Sequence, residues 1–159
     1  MEPVIIHFQA SSLGRIEFSV DVLKGDFKSF KAVRFKLDSG SDFTTVDCDD
    51  LYELGYTQDF LAKCPFHTTI ASTASADIRL QYIKNISIKF DDREIQGCRI
   101  FFSQDKGTQL RSLFGCDILK YFNWEINYDK SILRLAYVEN KPQLSEGETP
   151  LQIYTVEGD

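Results

Sequence analysis

Phe35-Lys36-Leu37-Asp38-Ser39-Gly40-Ser41-Asp42-Phe43-Thr44-Thr45-Val46 is the stretch on which the reading of this chain turns. Apolar residues alternate up to Leu37, a carboxylate follows at once, and Ser39-Gly40 turns the chain before a second strand is expected from Phe43. Taken alone, Asp38-Ser39-Gly40 fits a plain turn between two strands. The neighbouring sequence has to decide whether the carboxylate is there for its chemistry.

Working outward, period-2 alternation recurs. Ile16, Phe18, Val20 and Val22 alternate with Glu17, Ser19 and Asp21, and Val33, Phe35 and Leu37 alternate with Arg34 and Lys36. Each pattern predicts a half-buried strand. Ile86, Ile88 and Phe90 predict a third, closed by Asp91-Asp92, and Ile100, Phe101 and Phe102 a fourth. Trp124, Ile126 and Tyr128, then Asp129-Lys130-Ser131, then Leu133, Leu135 and Tyr137 predict a hairpin. Helix is scarce. Asp47 is placed to cap a short helix through Leu51 and Leu54, with Gly55 just past its end, and residues 117–122 suit another turn or two. The expected fold is mostly β with one or two short helices. It forms a single domain over residues 1–139, followed by a loosely ordered acidic tail over residues 140–159.

Composition narrows the classes. The 159 residues include 13 Phe and seven Tyr against one Met and one Trp, which favours strands over a helical bundle. The longest unbroken apolar run is four residues, 135–138, so no membrane-spanning helix is expected. Met1-Glu2-Pro3 begins nothing like a secretory signal, and a cytoplasmic location is expected. Eighteen basic against 24 acidic residues leave a net charge of −6 and no basic cluster, which argues against nucleic acid as the main ligand. Cys48, Cys64, Cys98 and Cys116 form no Cys-x-x-Cys pair, so zinc or dithiol redox chemistry has no support and reduced thiols are expected. Neither metal nor cofactor is called for.

A second segment changes the weight of the first. Leu113-Phe114-Gly115-Cys116-Asp117-Ile118-Leu119-Lys120-Tyr121-Phe122 is followed by Trp124-Glu125-Ile126-Asn127-Tyr128-Asp129 and Leu133-Arg134-Leu135. Together the two segments resemble the paired signatures of the retropepsin-like aspartic proteases. One signature is an apolar residue, Asp, Thr or Ser, and Gly. The other is two apolar residues, Gly, a variable residue, Asp or Asn, and a short helix. Asp50-Leu51-Tyr52-Glu53-Leu54-Gly55 also resembles a helix found after the first signature in cellular relatives. The resemblance runs over roughly residues 10–138 and implies a single-domain acid-protease barrel.

That resemblance implies a chemistry. A lone carboxylate is a poor hydrolytic catalyst, but two held about 3 Å apart cannot both ionise and so share a proton. One then takes a proton from water while the other polarises the scissile carbonyl. The chain holds one Asp-Ser-Gly and no second Asp-Thr/Ser-Gly. The resemblance therefore implies a two-fold homodimer in which Asp38 meets its symmetry mate, acting on a peptide or protein substrate. In the family the Ser39 position bonds across the two-fold, Gly40 allows close approach, and Asp42 binds substrate backbone or braces the dimer. Leu113, Phe114 and Gly115 support the catalytic loop. A hairpin flap is expected around residues 67–77, with Ile70, Ala71, Ser72 and Thr73 facing substrate. Two departures stand out: no Gly at the expected flap tip, and Cys116 where many relatives carry an Arg that pairs with the residue matching Asp42.

Other readings are weaker. His7 and His67 have no Gly-x-Ser-x-Gly partner for a serine hydrolase and read as surface or strand residues. Cys116 beside a glycine lacks an activating context for a nucleophile. Asp117 reads as a helix start or cap, and the acidic Asp47, Asp49 and Asp50 as dipole partners of a helix N-terminus rather than metal ligands. The alternative function is a non-catalytic peptide-binding or dimerisation module on the same fold; an unrelated β-barrel binding domain, with Asp38 only a turn residue, is the third reading.

Overall fold

The computed structural model describes residues 2–72, 77–105 and 110–156. The elements, in chain order, are β1 (Val4–His7), β2 (Gln9–Ala10), β3 (Ile16–Leu23), β4 (Phe30–Leu37), α1 (Cys48–Glu53), α2 (Gln58–Ala62), β5 (Phe66–Ser72), β6 (Asp77–Phe90), β7 (Arg93–Phe102), β8 (Leu113–Phe114), α3 (Cys116–Leu119), β9 (Phe122–Asn127), β10 (Ile132–Tyr137) and β11 (Gln152–Thr155). Eight strands form one sheet with the path β11-β7-β6-β3-β4-β8, with β2 on β3 and β5 on β6, and three form a second sheet, β1-β10-β9. The class is mostly β, as the alternation predicts.

The strands predicted at 16–22, 33–37, 86–90 and 100–102 and the predicted hairpin are present. Most of their apolar positions face the core, although Ile126 in β9 and Tyr128 just past it are exposed. In β3 the residues Ile16, Phe18, Val20 and Val22 are buried while Ser19 and Asp21 are exposed. β6 is much longer than Ile86, Ile88 and Phe90 suggest. Its alternation is interrupted where the register with β7 shifts between Ile83 and Ile86, and Asn85 there has φ +57°. A bulge of this kind lets Ile83 and Ile86 both reach the core, which breaks the period that sequence reading relies on. The strand expected from Phe43 is reduced to isolated bridges of Thr45 with Phe101 and with Leu113.

The helices number three among the described residues. Asp47 caps α1 through the Asp49 N–H, and Gly55 follows with φ +89°. α2 is too short to show a helical period; Thr57 caps it through the Phe60 N–H at 3.1 Å. No helix among the described residues is long and apolar enough to cross a membrane.

Both chain ends fold back. β1 pairs with β10, Val4 opposite Leu135, and β11 pairs with β7, Ile153 opposite Ile95. The buried Arg93 guanidinium donates to the Glu2 carbonyl at 3.0 Å and the Tyr137 hydroxyl at 3.2 Å, and pairs with Asp92. In the 140–159 tail, Lys120 Nζ meets Glu148 at 2.6 Å and the Leu151 N–H donates to the Tyr121 hydroxyl at 3.1 Å. Phe114 is the hub of the core, edge-on to Phe18, Phe35, Phe90 and Trp124 at centroid distances of 5.3 to 6.4 Å.

Candidate active site

The two signature segments cross one another. β8 lies parallel to the end of β4, Lys36 opposite Leu113 and Leu37 opposite Phe114. The Asp38 N–H, one residue further on, donates to the Phe114 carbonyl at 3.1 Å. Asp38 is thus the residue at which the chain leaves the sheet, and β8 holds its backbone. The Gly40 N–H donates to Asp38 Oδ1 at 3.0 Å and the Ser41 N–H to the Asp38 carbonyl at 3.2 Å, which closes the turn around the carboxylate. A Cβ on Gly40 would sit 3.2 Å from Asp38 Oδ1, so glycine keeps the carboxylate uncrowded. Asp38 is half-buried, while Ser39, Gly40 and Asp42 are exposed.

Gly115 makes the crossing possible. A Cβ there would lie 2.3 Å from the Phe43 carbonyl oxygen and 2.9 Å from that of Ser41. The Cys116 N–H donates to the Ser41 carbonyl at 2.8 Å, and the Cys116 thiol to the Ser39 carbonyl at 3.1 Å. On the other side of the loop, Thr45 exchanges two backbone bonds with Leu113, at 2.9 and 3.0 Å. Leu113, Phe114 and Gly115 therefore all bear on the loop that carries Asp38.

This curled sheet with an internal crossing is the feature to compare. A retropepsin-like aspartic protease from Rickettsia conorii, known from its crystal structure, aligns with a TM-score of 0.57 over 85% of this chain and 90% of that one, at 20% identity. The fold is retropepsin-like. No family model matches the sequence, and no curated protein matches it. The expected curled barrel and its chain order hold across an identity this low, because the core asks only for apolar residues of fitting volume at alternating positions.

Within this retropepsin-like fold, β5 and β6 form the hairpin expected between the signatures, with Ile70, Ala71 and Ser72 paired to Arg79, Ile78 and Asp77. Thr73 lies outside the described residues. The root of the hairpin meets the Asp38 loop through an aromatic cluster: Phe43 packs on His67 at 4.9 Å and on Phe101 at 4.3 Å, centroid to centroid. His7 is exposed at the end of β1. Neither histidine is near a serine elbow, since the sequence has none.

Polar residues that sequence reading passed over complete the site. Thr44 is buried, donates to Asp117 Oδ1 at 2.7 Å and accepts the Gly115 N–H at 3.1 Å. The Ser112 hydroxyl accepts from the Asp47 N–H at 3.0 Å and donates to Asp50 at 2.7 Å, tying the start of α1 to the second signature. Thr44 stood inside the quoted stretch, but nothing in its spacing marks a buried hydroxyl. Asp117 stands in the first turn of α3, as a helix start is expected to, but it is not the cap: Gly115 occupies the N-cap, and the Asp117 side chain accepts from Thr44. Burial pushes the Asp117 carboxyl up to about 6, aided by Glu148 and opposed by the Thr44 bonds.

The thiols are all free. Burial raises the Cys116 pKa, and the charges of Asp42, Asp117 and Asp38 raise it further, so the thiol stays protonated and is a poor nucleophile. Burial, Asp47 and Asp49 do the same to Cys48. Among the described residues no group of His, Cys, Asp and Glu is arranged to hold a metal.

Proposed function

We propose that this chain is an aspartic endopeptidase that works as a homodimer, with Asp38 of each protomer forming the catalytic pair. The observation that carries the reading is the seating of Asp38: a half-buried carboxylate at a strand end, its backbone bonded to Phe114 and its side chain oriented by Gly40. The likeness of fold to a retropepsin-like aspartic protease supports it. The Asp38 carboxyl supplies half of what peptide hydrolysis without a metal requires, and a two-fold axis beside the exposed Ser39 and Gly40 supplies the other half.

In such a pair one proton is shared between two carboxyl groups, because both cannot be ionised at close range. The ionised Asp38 takes a proton from a bound water, and the oxygen attacks the scissile carbonyl carbon. The protonated Asp38 gives its proton to the carbonyl oxygen, producing a gem-diol. Collapse of that intermediate breaks the C–N bond, with a proton delivered to the leaving nitrogen. An extended peptide lies between the β5–β6 hairpin and Asp38, its backbone bonded as an added strand. Asp42, exposed beside the site, bonds that backbone or braces the dimer. No cofactor takes part, and the free thiols fit a cytoplasmic setting.

The test is Asp38→Asn assayed with a peptide library between about pH 4 and 7, alongside sedimentation at several concentrations. Cleavage by the wild type should fall about a thousandfold in the variant, since general acid–base work of this kind contributes about 10²–10⁴-fold. It should also scale with the dimer fraction. Unchanged cleavage by Asp38→Asn, or cleavage by a strict monomer, would overturn the mechanism. Peptide binding without any cleavage would establish the non-catalytic module instead.

A further inference from the structure

The sheet β1-β10-β9 ends in an open edge. β10 pairs with β9 on one side, Leu133 opposite Ile126 and Leu135 opposite Trp124, and among the described residues no strand lies on the other. Nor does the outer side of β9 make a backbone hydrogen bond to any other described residue. Directly opposed residues point to one face, so Ile126 shares the face of Leu133 and Leu135, both fully buried. Ile126 is nevertheless 45% exposed, because the sheet stops there, and Tyr128 just past the strand is 54% exposed. β9 carries neither Pro nor Lys, the residues that commonly blunt such an edge.

Both ends of β9 are tied to the surroundings of Asp38. At its start, α3 leads into it, and the first residue of α3, Cys116, is bonded to the Ser41 and Ser39 carbonyls. The Trp124 indole N–H returns to the Leu119 carbonyl at 2.8 Å. At the far end, Tyr128 packs edge-on against Phe8, and its hydroxyl donates to the Gly14 carbonyl at 2.8 Å. Gly14 belongs to the turn before β3. Since β3 runs antiparallel to β4 with Glu17 opposite Lys36, that turn lies at the same end of the sheet as Asp38. The free edge of β11, by contrast, is separated from β4 by three strands, β7, β6 and β3.

We infer that the outer edge of β9 is the dimer surface: it pairs antiparallel with the same edge of a second copy, joining two three-stranded sheets into one of six. A two-fold contact has to be self-complementary, and an antiparallel pair of identical strands is. The side chains select the register. Keeping the apolar faces together requires the two-fold to pass beside a residue rather than between two. Beside Glu125 it would set like charges opposite one another. Beside Trp124 it would add little, because that side chain is already half-buried and bonded. Beside Ile126 it sets Ile126 against its mate, Trp124 against Tyr128 of the second copy, and Glu125 against Asn127 of the second copy. That register covers both exposed apolar residues of the edge, and it draws together the two loops to which the edges are attached. The use of this contact to pair two carboxyls rests on the catalytic reading of Asp38; the strand pairing does not.

The experiment is sedimentation of the full chain over a range of concentrations, without substrate, beside Ile126→Lys and Tyr154→Lys. Ile126→Lys sets like charges face to face in the paired edge and should weaken the dimer at least about a hundredfold, since a two-fold contact counts each change twice. Tyr154→Lys makes the same change on the exposed edge strand β11 and should leave the dimer constant within about twofold. A wild-type chain that stays monomeric, a dimer indifferent to Ile126→Lys, or one lost through Tyr154→Lys would overturn the inference. Ile126→Cys tests the register and stands even if the lysine variant fails to fold. Under mild oxidation it should cross-link two chains where the wild type, with its native thiols, does not, because directly opposed Cα atoms in an antiparallel pair come within about 4.5–5.5 Å. No cross-link would overturn the register. Peptide cleavage by the same samples is a separate readout: a β9 dimer that cleaves nothing would establish the pairing and remove the enzymatic reading.

Discussion

Two places among the described residues bring backbones so close that only glycine fits. At one, Gly115 lies against the loop after Asp38, where an added Cβ would come within 2.3 Å of the Phe43 carbonyl oxygen. At the other, Gly25 in the β3–β4 turn lies against the end of α1, where a Cβ would come within 2.5 Å of the Gly55 carbonyl oxygen. The sterics are alike, but the surroundings differ. Around Gly115 the neighbours are linked by bonds that end at Asp38: Gly115 to Thr44, Cys116 to Ser41, Asp38 to Phe114. Around Gly25 the bonds join a turn to a helix end, Gly25 N–H to the Leu54 carbonyl at 2.9 Å and the Tyr56 hydroxyl to the Leu23 carbonyl at 2.7 Å. The first crossing builds the site, and the second only closes the barrel wall.

That contrast can be broken by substitution. Gly115→Ala should have the largest effect, at least about 3 kcal/mol of stability lost together with the activity of whatever folds, because a backbone carbonyl cannot step aside as a side-chain tip can. Denaturant unfolding and cleavage per folded molecule would check both. Gly25→Ala should cost about 2 kcal/mol, read in the same way, yet leave cleavage per folded molecule as it was. If Gly25→Ala impairs cleavage as much as Gly115→Ala does, the two crossings are not functionally distinct. Thr44→Val keeps the side-chain shape but leaves the Gly115 N–H without its acceptor and takes the hydroxyl donor from Asp117. About 2 kcal/mol should go, and cleavage should fall more than stability predicts. Tyr56→Phe removes one buried hydroxyl near the other crossing and should cost about 1 kcal/mol, seen as a small shift of the unfolding midpoint with no change in cleavage.

The comparison also shows what kind of information a sequence exposes. Gly115 was legible because it stands in a short motif whose spacing to Asp38 is characteristic. Gly25 was not, because a glycine after Lys24 in a turn looks the same whether or not another chain segment crosses it. The strands were legible wherever one face is buried and the other wet, as in β3, and obscured where a bulge at Asn85 shifts the period within β6. The Asp47 cap and Gly55 terminator announced α1, whereas five residues of α2 could announce nothing. Asp117 was legible as part of a helix start, and it does stand in the first turn of α3, but the bond of its side chain to a threonine 73 residues earlier was not. A local cap and a long-range bond use the same residue types, so spacing along the chain cannot tell them apart.

By itself, then, the sequence determined the β class, most of the central strands, and the placing of a carboxylate at a strand end, in the first of two related signatures. These are short-range properties: alternation, turn chemistry and motif spacing each act within a few residues. Only the tertiary structure decided that the Thr44 hydroxyl bridges Gly115 and Asp117 and that Glu148 of the returning tail lines the same pocket as Asp117. Each of those depends on desolvation and on distances between residues far apart in the chain. Burial turns an ordinary aspartate into an acid that titrates near 6, and burial is a property of the folded neighbourhood rather than of the residue.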